Sequence, residues 1–192
     1  HRSIRRQRQM CIRDRWMREQ GNCVVITSND MAKAYDWASR ELILLEMVRR
    51  GVDAKLVRAV KEWLCGPHRR HLLAPGNHDA MPIHNGVPQG SCGAPLFFLP
   101  IVDTAIRQIH DLEVPTKAQL PSGRPNSCQS FADDMQTIAA GKTGAEAIET
   151  AQKMMDHLAN KWAMEADATW NAKKTEVMAC GFEPKRRQTL TM

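Results

Sequence analysis

Short apolar runs of the length of β-strands occur at four places in the chain. They are rich in β-branched and small apolar residues and are bounded by glycine, asparagine or acidic residues, as is typical of buried strands. Two of them are separated only by a short acidic interruption, which predicts a hairpin with charge at its tip. The four predicted strands are Gly21–Asn29, Ser127–Phe131, Met135–Ala140 and Thr175–Cys180.

Helical periodicity fills the segments between these strands. Ser39 is a predicted N-cap for a helix over Arg40–Arg50, and Gly51 ends it. A second amphipathic helix begins at Asp53 and ends at Gly66. A third is predicted over Pro95–Ile109, with a kink or restart at Pro100. Thr143 and Glu146 form a capping box for a long helix, whose predicted buried stripe is Ile148, Ala151, Met155, Leu158 and Trp162.

Two segments lack a helical period. His68–His84 is predicted to hold two short strands around the turn Pro75–Asn77, and Leu112–Asn126, with three prolines and a glycine, is predicted to be a surface loop. The order of elements then predicts an α+β fold, an antiparallel sheet with helices packed on one face. This arrangement would place Asp30, at the end of the first strand, beside the acidic hairpin tip.

The net charge of +6 is concentrated at one end of the chain. Residues 1–15 carry six arginines and one aspartate, and therefore five of the six net charges. Met10–Arg15 also matches one reading frame of a common sequencing adapter, so residues 1–15 are expected to be a library artefact or a disordered basic arm. Overall basicity is then weak evidence for nucleic-acid binding, and only a specific site could indicate it.

The adjacent carboxylates of Asp133 and Asp134 are the main chemical feature of the sequence. Carboxylates held close together repel one another unless a cation lies between them. A hard divalent ion with oxygen ligands, Mg²⁺ or Mn²⁺, explains such a pair economically. A solvated Asp-Asp turn is the alternative on this evidence alone.

Four ordered blocks resemble the palm of reverse transcriptases, most closely the non-LTR (LINE-type) retrotransposon and group II intron branch. The first is Asp30-Met-Ala-Lys-Ala-Tyr-Asp36, and the second is Gly86-Val-Pro-Gln-Gly90 followed by Ala94-Pro95-Leu96-Phe97. The third is Phe131-Ala-Asp-Asp134, a variant of the aromatic-x-Asp-Asp signature. The fourth is Asn171-Ala-Lys-Lys-Thr175. The likeness runs from about residue 22 to residue 181.

The resemblance implies a polymerase palm and a role for each matching residue. Asp30, Asp133 and Asp134 would be catalytic metal ligands for two Mg²⁺ ions, with Mn²⁺ as a possible substitute. Tyr35 would lie beneath the sugar and exclude a 2′-hydroxyl. The remaining substrate-binding residues would be Gln89 under the incoming base, Gly90 where the backbone approaches the nucleotide, and Lys174 near the leaving pyrophosphate. Asp36 is expected to be a cap or ion-pair partner.

The implied activity is RNA-directed DNA polymerisation for a retroelement, with an RNA template, a DNA primer and dNTPs as partners. Residues 16–182 would be the palm with partial fingers and no thumb, and residues 183–192 a basic tail, so little activity is expected from the chain alone. No membrane segment, secretory signal or disulfide is expected. The protein is therefore expected to be intracellular, in the nucleus for a eukaryotic element and in the cytoplasm for a bacterial one.

Three other interpretations are open. A palm without activity could serve as an RNA-binding or assembly module, although all three aspartates are present. A nucleotide cyclase would carry a different acidic hairpin. Cys65, His68 and His71 have a spacing that could bind zinc, but no second half of such a site is present.

Overall fold

A computed structural model describes residues 21–66, 70–71, 81–82, 85–88, 90–131 and 133–181, with only the backbone at 70–71, 81–82 and 131. A π-helical turn, Leu158–Trp162, joins the last two helices, and a 3₁₀ turn, Ala172–Lys174, precedes the last strand. In chain order the other elements are β1 Cys23–Asp30, α1 Ala34–Trp37, α2 Arg40–Arg49, α3 Ala54–Cys65, β2 Arg70–His71, β3 Met81–Pro82, α4 Ala94–His110, β4 Asn126–Phe131, β5 Asp134–Gly141, α5 Gly144–His157, α6 Ala163–Ala166 and β6 Glu176–Cys180.

The described strands form one four-stranded antiparallel sheet, in the order β4-β5-β1-β6, and a separate pair, β2-β3. Alternate residues of β1 point to opposite faces of the sheet. Cys23 and Val25 pack into the main core with α2 to α5, whereas Val24 and Ile26 belong to a second, smaller core. The predicted α+β arrangement, with helices on one face, is confirmed.

The segment Leu112–Asn126 has a structural role that the prediction of a surface loop missed. It is irregular, as expected, but Ala118 and Leu120 are buried against Ile138 and the apolar residues of β1. Strands that are apolar on both faces need a cover on both. This loop covers one face of the sheet, and the helices cover the other.

The two predicted helix caps, at Ser39 and Thr143, are present, and Asp53 caps the helix between them. Ser39 Oγ accepts a hydrogen bond from Leu42 N, Asp53 Oδ1 from Lys55 N, and Thr143 Oγ1 from Glu146 N. Each satisfies a backbone donor that the first turn of a helix leaves unpaired. Of the predicted stripe on the long helix, Ile148 is partly buried and the other four residues are buried.

The predicted restart at Pro100 is wrong, because α4 runs without a break from Ala94 to His110. A proline here removes one N–H, the donor to the carbonyl of Leu96. Leu96 is on an exposed part of the helix, with 66% of its surface accessible, so water can replace the missing donor. Buried residues on both sides of Pro100, Phe98 and Ile101 among them, hold the helix on the core.

The two short strands predicted between His68 and His84 are present as β2 and β3, while the turn Pro75–Asn77 lies outside the described residues. His68 also lies outside them, as does the side chain of His71, so the zinc alternative stays open. Within the described part of the chain, no helix has the length and apolar character needed to cross a bilayer.

Glu46 is a buried carboxylate that ties α2 to α4. Its oxygens bond Arg49 Nη1 at 2.9 Å and Arg107 Nη2 at 2.6 Å, and Arg50 lies 3.7 Å away. Burial by itself raises the pKa of Glu46, but hydrogen bonds and charge from Arg49 and Arg107 outweigh it and lower that pKa below 4.5.

Glu46 should therefore make stability depend on pH. Because its folded-state pKa lies below the unfolded one, its contribution is present above about pH 4.5 and is lost as pH falls through the folded value. Glu46→Gln should lower the free energy of unfolding by about 1–3 kcal/mol at pH 7 and flatten the acid limb of the stability curve. Urea unfolding at several pH values measures both effects, and an unchanged acid limb would contradict the assignment.

Candidate active site

The antiparallel pairing of β1 with β5 brings the predicted acidic residues together. Asp30 is the last residue of β1 and Asp134 the first of β5, and their Cα atoms are direct partners in the register. Met31 N donates to the backbone oxygen of Asp133 at 3.4 Å. Since side chains alternate along each strand, Asp30 and Asp134 both belong to the sheet face opposite the helices.

Most of the predicted site residues line one cavity of about 770 Å³. Asp30, Asp133, Tyr35, Gly90 and Lys174 are in its wall, and Asp134 is not. Gln89 lies outside the described residues. The other lining residues come from the turn after β1, from the start of α4 and from the segment before β6: Met31, Ala32, Lys33, Ala34, Ser91, Ala94, Pro95 and Asn171.

The segment before β6 holds the side chain of Asp30. Asn171 N donates to the backbone oxygen of Asp30 at 2.8 Å, and Asn171 Nδ2 donates to its Oδ2 at 3.3 Å. Lys174 Nζ lies 3.0 Å from the same Oδ2, although 64% of the lysine side chain is exposed. Lys174 is therefore an ion-pair partner of a predicted metal ligand. Both contacts use one carboxylate oxygen.

A π-helical turn and two tryptophans fix that segment. Trp162 Nε1 donates to Thr104 Oγ1 of α4 at 2.8 Å, and the Trp162 and Trp170 rings lie 5.6 Å apart. Trp170 Nε1 donates to the carbonyl of Leu158 at 3.4 Å, and Trp170 pairs with Met31 across an isolated bridge. π-helical turns are rare and often occur near functional sites. Here the turn supports the residues that reach Asp30.

Tyr35 packs its ring on Phe98 of α4, with centroids 5.0 Å apart and planes inclined by 31°. Burial raises the pKa of its phenol above 10, and the negative charge of Asp133 raises it further. Tyr35 and Asp133 also line the same cavity. Tyr35 and Asp133 thus belong to the same site.

The polar residues that precede Asp30 form a buried network. Thr27 Oγ1 and Thr137 Oγ1 are hydrogen-bonded across the β1-β5 pair, and Asn29 Nδ2 donates to Thr27 Oγ1 at 3.3 Å. Met155 Sδ of α5 accepts from Thr27 and Asn29. The hydrogen bonds among these side chains allow a polar stretch of β1 to pack against the helices.

Three residues near the site were given no role from the sequence. Asn171 contacts Asp30, Lys33 lines the cavity in a left-handed backbone conformation with φ 49°, and Arg40 bonds the loop that leads to Gly90. For Arg40, the sequence does contain an indication of such a role. A cation in the first turn of a helix is disfavoured by the helix dipole, so its presence there indicates a specific partner.

The donor set at this edge of the sheet has the oxygen chemistry of a divalent-cation site. Asp30 keeps one carboxylate oxygen outside the contacts with Asn171 and Lys174, and Asp133 faces the same cavity. Hard cations such as Mg²⁺ take carboxylate oxygens. In the residues that the structure describes, however, no three His, Cys, Asp or Glu side chains are grouped closely enough to hold an ion. The three-aspartate ligand set thus stays a proposal.

Comparison with known proteins identifies the family. A family model described as "Reverse transcriptase (RNA-dependent DNA polymerase)" matches residues 2–190. The chain belongs to the reverse transcriptase family. Members of this family generally use divalent metal ions. A search of curated proteins gave no match.

Solved telomerase structures share the reverse transcriptase palm fold with this chain. Apo telomerase from Candida tropicalis, truncated from its C-terminal domain, aligns with a TM-score of 0.61 and 13% identity, over 95% of this chain and 36% of that one. Telomerase from Candida albicans, in complex with a TWJ fragment of telomeric RNA, aligns with a TM-score of 0.54 and 14% identity, over 97% of this chain and 31% of that one. The chain thus spans about a third of the telomerase chains. The narrower non-LTR or group II intron branch stays a prediction.

Tyr35 is the only tyrosine in the chain, so its ionisation can be read directly. Ultraviolet titration of the phenol should give a pKa above 10, and Asp133→Asn should lower that pKa without returning it to 10, because burial remains. Asp111→Asn, at the exposed end of α4, is the matched control and should leave the titration unchanged. An Asp133 variant that titrates like the wild type would show that the phenol and the carboxylate are not close.

Proposed function

We propose that this chain is the catalytic palm of an RNA-directed DNA polymerase, which transfers a nucleotide from a dNTP to a primer 3′-hydroxyl. The observation that carries the proposal is the β1-β5 register, which pairs Asp30 with Asp134 and opens Asp30 and Asp133 onto one cavity beside Tyr35. Nucleotidyl transfer needs carboxylates from separate chain segments at one point, and this pairing provides them.

The three aspartates are the proposed metal ligands: Asp30 and Asp133 would hold two ions, with Asp134 in support. Mg²⁺ is the proposed ion and Mn²⁺ a substitute. When bound, such ions would activate the primer hydroxyl and neutralise charge on the triphosphate. Asn171 and Lys174 hold one oxygen of Asp30 and so restrict the directions in which its other oxygen can bind.

The remaining residues position the nucleotide. The cavity volume of about 770 Å³ is sufficient for a nucleoside triphosphate. Tyr35, backed by Phe98, forms a rigid surface beneath the sugar, and Gly90 permits close approach of the backbone. Gln89 is the proposed contact to the incoming base. Lys174, which is largely exposed, is the proposed contact to the leaving pyrophosphate.

An RNA template, a DNA primer and dNTPs are the proposed partners. Family membership supports them, as do telomerase structures that contain fragments of telomeric RNA. The sheet face that carries Asp30 and Asp134 continues into partly exposed polar residues, Ser28, Gln129 and Gln136. A polar, open surface next to the acidic edge suits a nucleic-acid backbone.

The finer assignments rest on the motifs. The Asn171-x-x-Lys174-Thr175 block supports a non-LTR retrotransposon or group II intron element, nuclear in a eukaryote and cytoplasmic in a bacterium. We also propose that residues 16–182, which lie within the range 2–190 matched by the family model, are the palm. Because the chain spans about a third of the telomerase chains, it should have little activity alone. The presence of all three aspartates favours an active palm over an inactive RNA-binding module.

Asp133→Asn should abolish primer extension. We expect a loss of about a thousandfold or more on an RNA template with Mg²⁺ and dNTPs, because a lost metal ligand removes charge stabilisation of the transition state. The assay uses a polymerase that carries this chain together with fingers and thumb segments. Asp156→Asn, on the exposed face of α5, is the matched control. Extension by the Asp133 variant at the wild-type rate would refute the site.

Tyr35→Ala should relax sugar selection. Removing the ring opens space for a 2′-hydroxyl, so incorporation of ribonucleotides should rise by about tenfold or more relative to deoxynucleotides. Tyr35→Phe keeps the ring and its packing on Phe98 and should retain discrimination. The ratio of kcat/KM for dNTP and rNTP measures the effect. Equal ratios in the wild type and in Tyr35→Ala would exclude Tyr35 as the gate.

A further inference from the structure

Backbone hydrogen bonds join two chain segments beside the nucleotide cavity. The first is the turn Tyr35–Arg40, and the second is the loop Asn85–Pro88 that leads to Gly90. Val87 N donates to the carbonyl of Tyr35 at 2.7 Å, and Gly86 N donates to the carbonyl of Ala38 at 2.9 Å. We call this contact the turn–loop joint. It links the tyrosine of the cavity to the loop that carries Gly90.

Arg40 holds the joint from the side of α2. Its Nε donates to the carbonyl of Gly86 at 2.8 Å and its Nη2 to the carbonyl of Asn85 at 3.0 Å. The side chain is buried, with 7% of its surface accessible. Hydrogen bonds from a charged donor are stronger than neutral ones, and a buried guanidinium left without them is strongly disfavoured. Arg40 therefore fixes both carbonyls of the loop.

The two backbones of the turn–loop joint are closely packed. Gly86 has φ 87°, a conformation that favours glycine, and a Cβ atom there would lie 2.4 Å from the carbonyl oxygen of Asp36 and 2.8 Å from that of Tyr35. The two backbones are therefore in direct contact. Any loosening of the loop would change the distance between Tyr35 and Gly90, both of which line the cavity.

We propose that Arg40 is a positioning residue for nucleotide binding, acting through the turn–loop joint to fix Gly90 and its loop relative to Tyr35. The proposal rests on the proposed polymerase function. Arg40 does not line the cavity, so it acts on the nucleotide through the backbone it holds. Loss of this arrangement should weaken binding of the dNTP more than it slows the chemical step, since the aspartates lie on other elements.

Arg40→Lys and Arg40→Gln are the primary test variants. Lysine keeps the charge but lacks the planar guanidinium that donates to both carbonyls at once. Glutamine keeps a hydrogen-bond donor but has no charge. The first readout is hydrogen exchange of the Gly86 and Val87 amides in the 192-residue chain. The second is primer extension by the longer polymerase used for Asp133, with KM for dNTP and kcat measured separately. Arg58→Lys, on the exposed face of α3, is the matched control.

We expect faster exchange at both amides and a rise in KM for dNTP with kcat nearly unchanged. Loss of one charge-assisted hydrogen bond corresponds to about a tenfold to hundredfold change. Gly86→Ala is an independent perturbation, because it forces the backbones apart while Arg40 is retained, and it should give the same rise in KM. It keeps the test decisive if the Arg40 variants unfold.

The outcomes separate this proposal from the polymerase function. Unchanged KM in a folded Arg40 variant with an active wild type would refute the positioning role, whether or not exchange is faster. A proportional fall in kcat without a change in KM would also refute it. A wild-type polymerase without activity would refute the proposed function and with it the role in nucleotide binding, while faster exchange would still establish the turn–loop joint.

Discussion

The antiparallel pairing of β1 with β5 is the interaction on which the rest of the site depends. Its register places Asp30 opposite Asp134 and leaves Asp133 at the tip of the adjoining hairpin. A shift by one residue would turn every side chain of β1 to the other face, moving Asp30 under the helices and Val25 out of the core. Burial of apolar residues on both faces fixes the register, so the packing of the sheet and the geometry of the acidic edge have one cause.

Other parts of the molecule hold their functional residues through backbone contacts with this edge. Two backbone hydrogen bonds hold the segment before β6 to the end of β1. They run from Ala32 N to Thr169 O and from Asn171 N to Asp30 O, and each is 2.8 Å long. Backbone hydrogen bonds likewise hold the Asn85–Pro88 loop to the carbonyls of Tyr35 and Ala38. Backbone hydrogen bonds thus hold Asp30, Tyr35 and the loop before Gly90 in place, and catalysis by positioning requires such an arrangement.

The sequence predicted what depends on local patterns. Strand and helix periods, the caps at Ser39 and Thr143, and the proximity of Asp30 to the hairpin agree with the structure. It did not predict that the proline-rich loop covers the second sheet face, because burial of Ala118 and Leu120 depends on which strands they meet. The contacts of Arg40 and Asn171 also join residues far apart in the chain, and no local pattern reports them.

The proposed site requires carboxylates from two distant segments to hold the same metal ions. Iron-mediated cleavage tests it most directly: Fe²⁺ bound in place of Mg²⁺ generates hydroxyl radicals that cut the backbone close to the ion. We expect cuts near residue 30 and near residue 133 in the same experiment, both suppressed by excess Mg²⁺ and both lost in Asp30→Asn. Cleavage confined to one of the two segments, or persisting at both in Asp30→Asn, would contradict it.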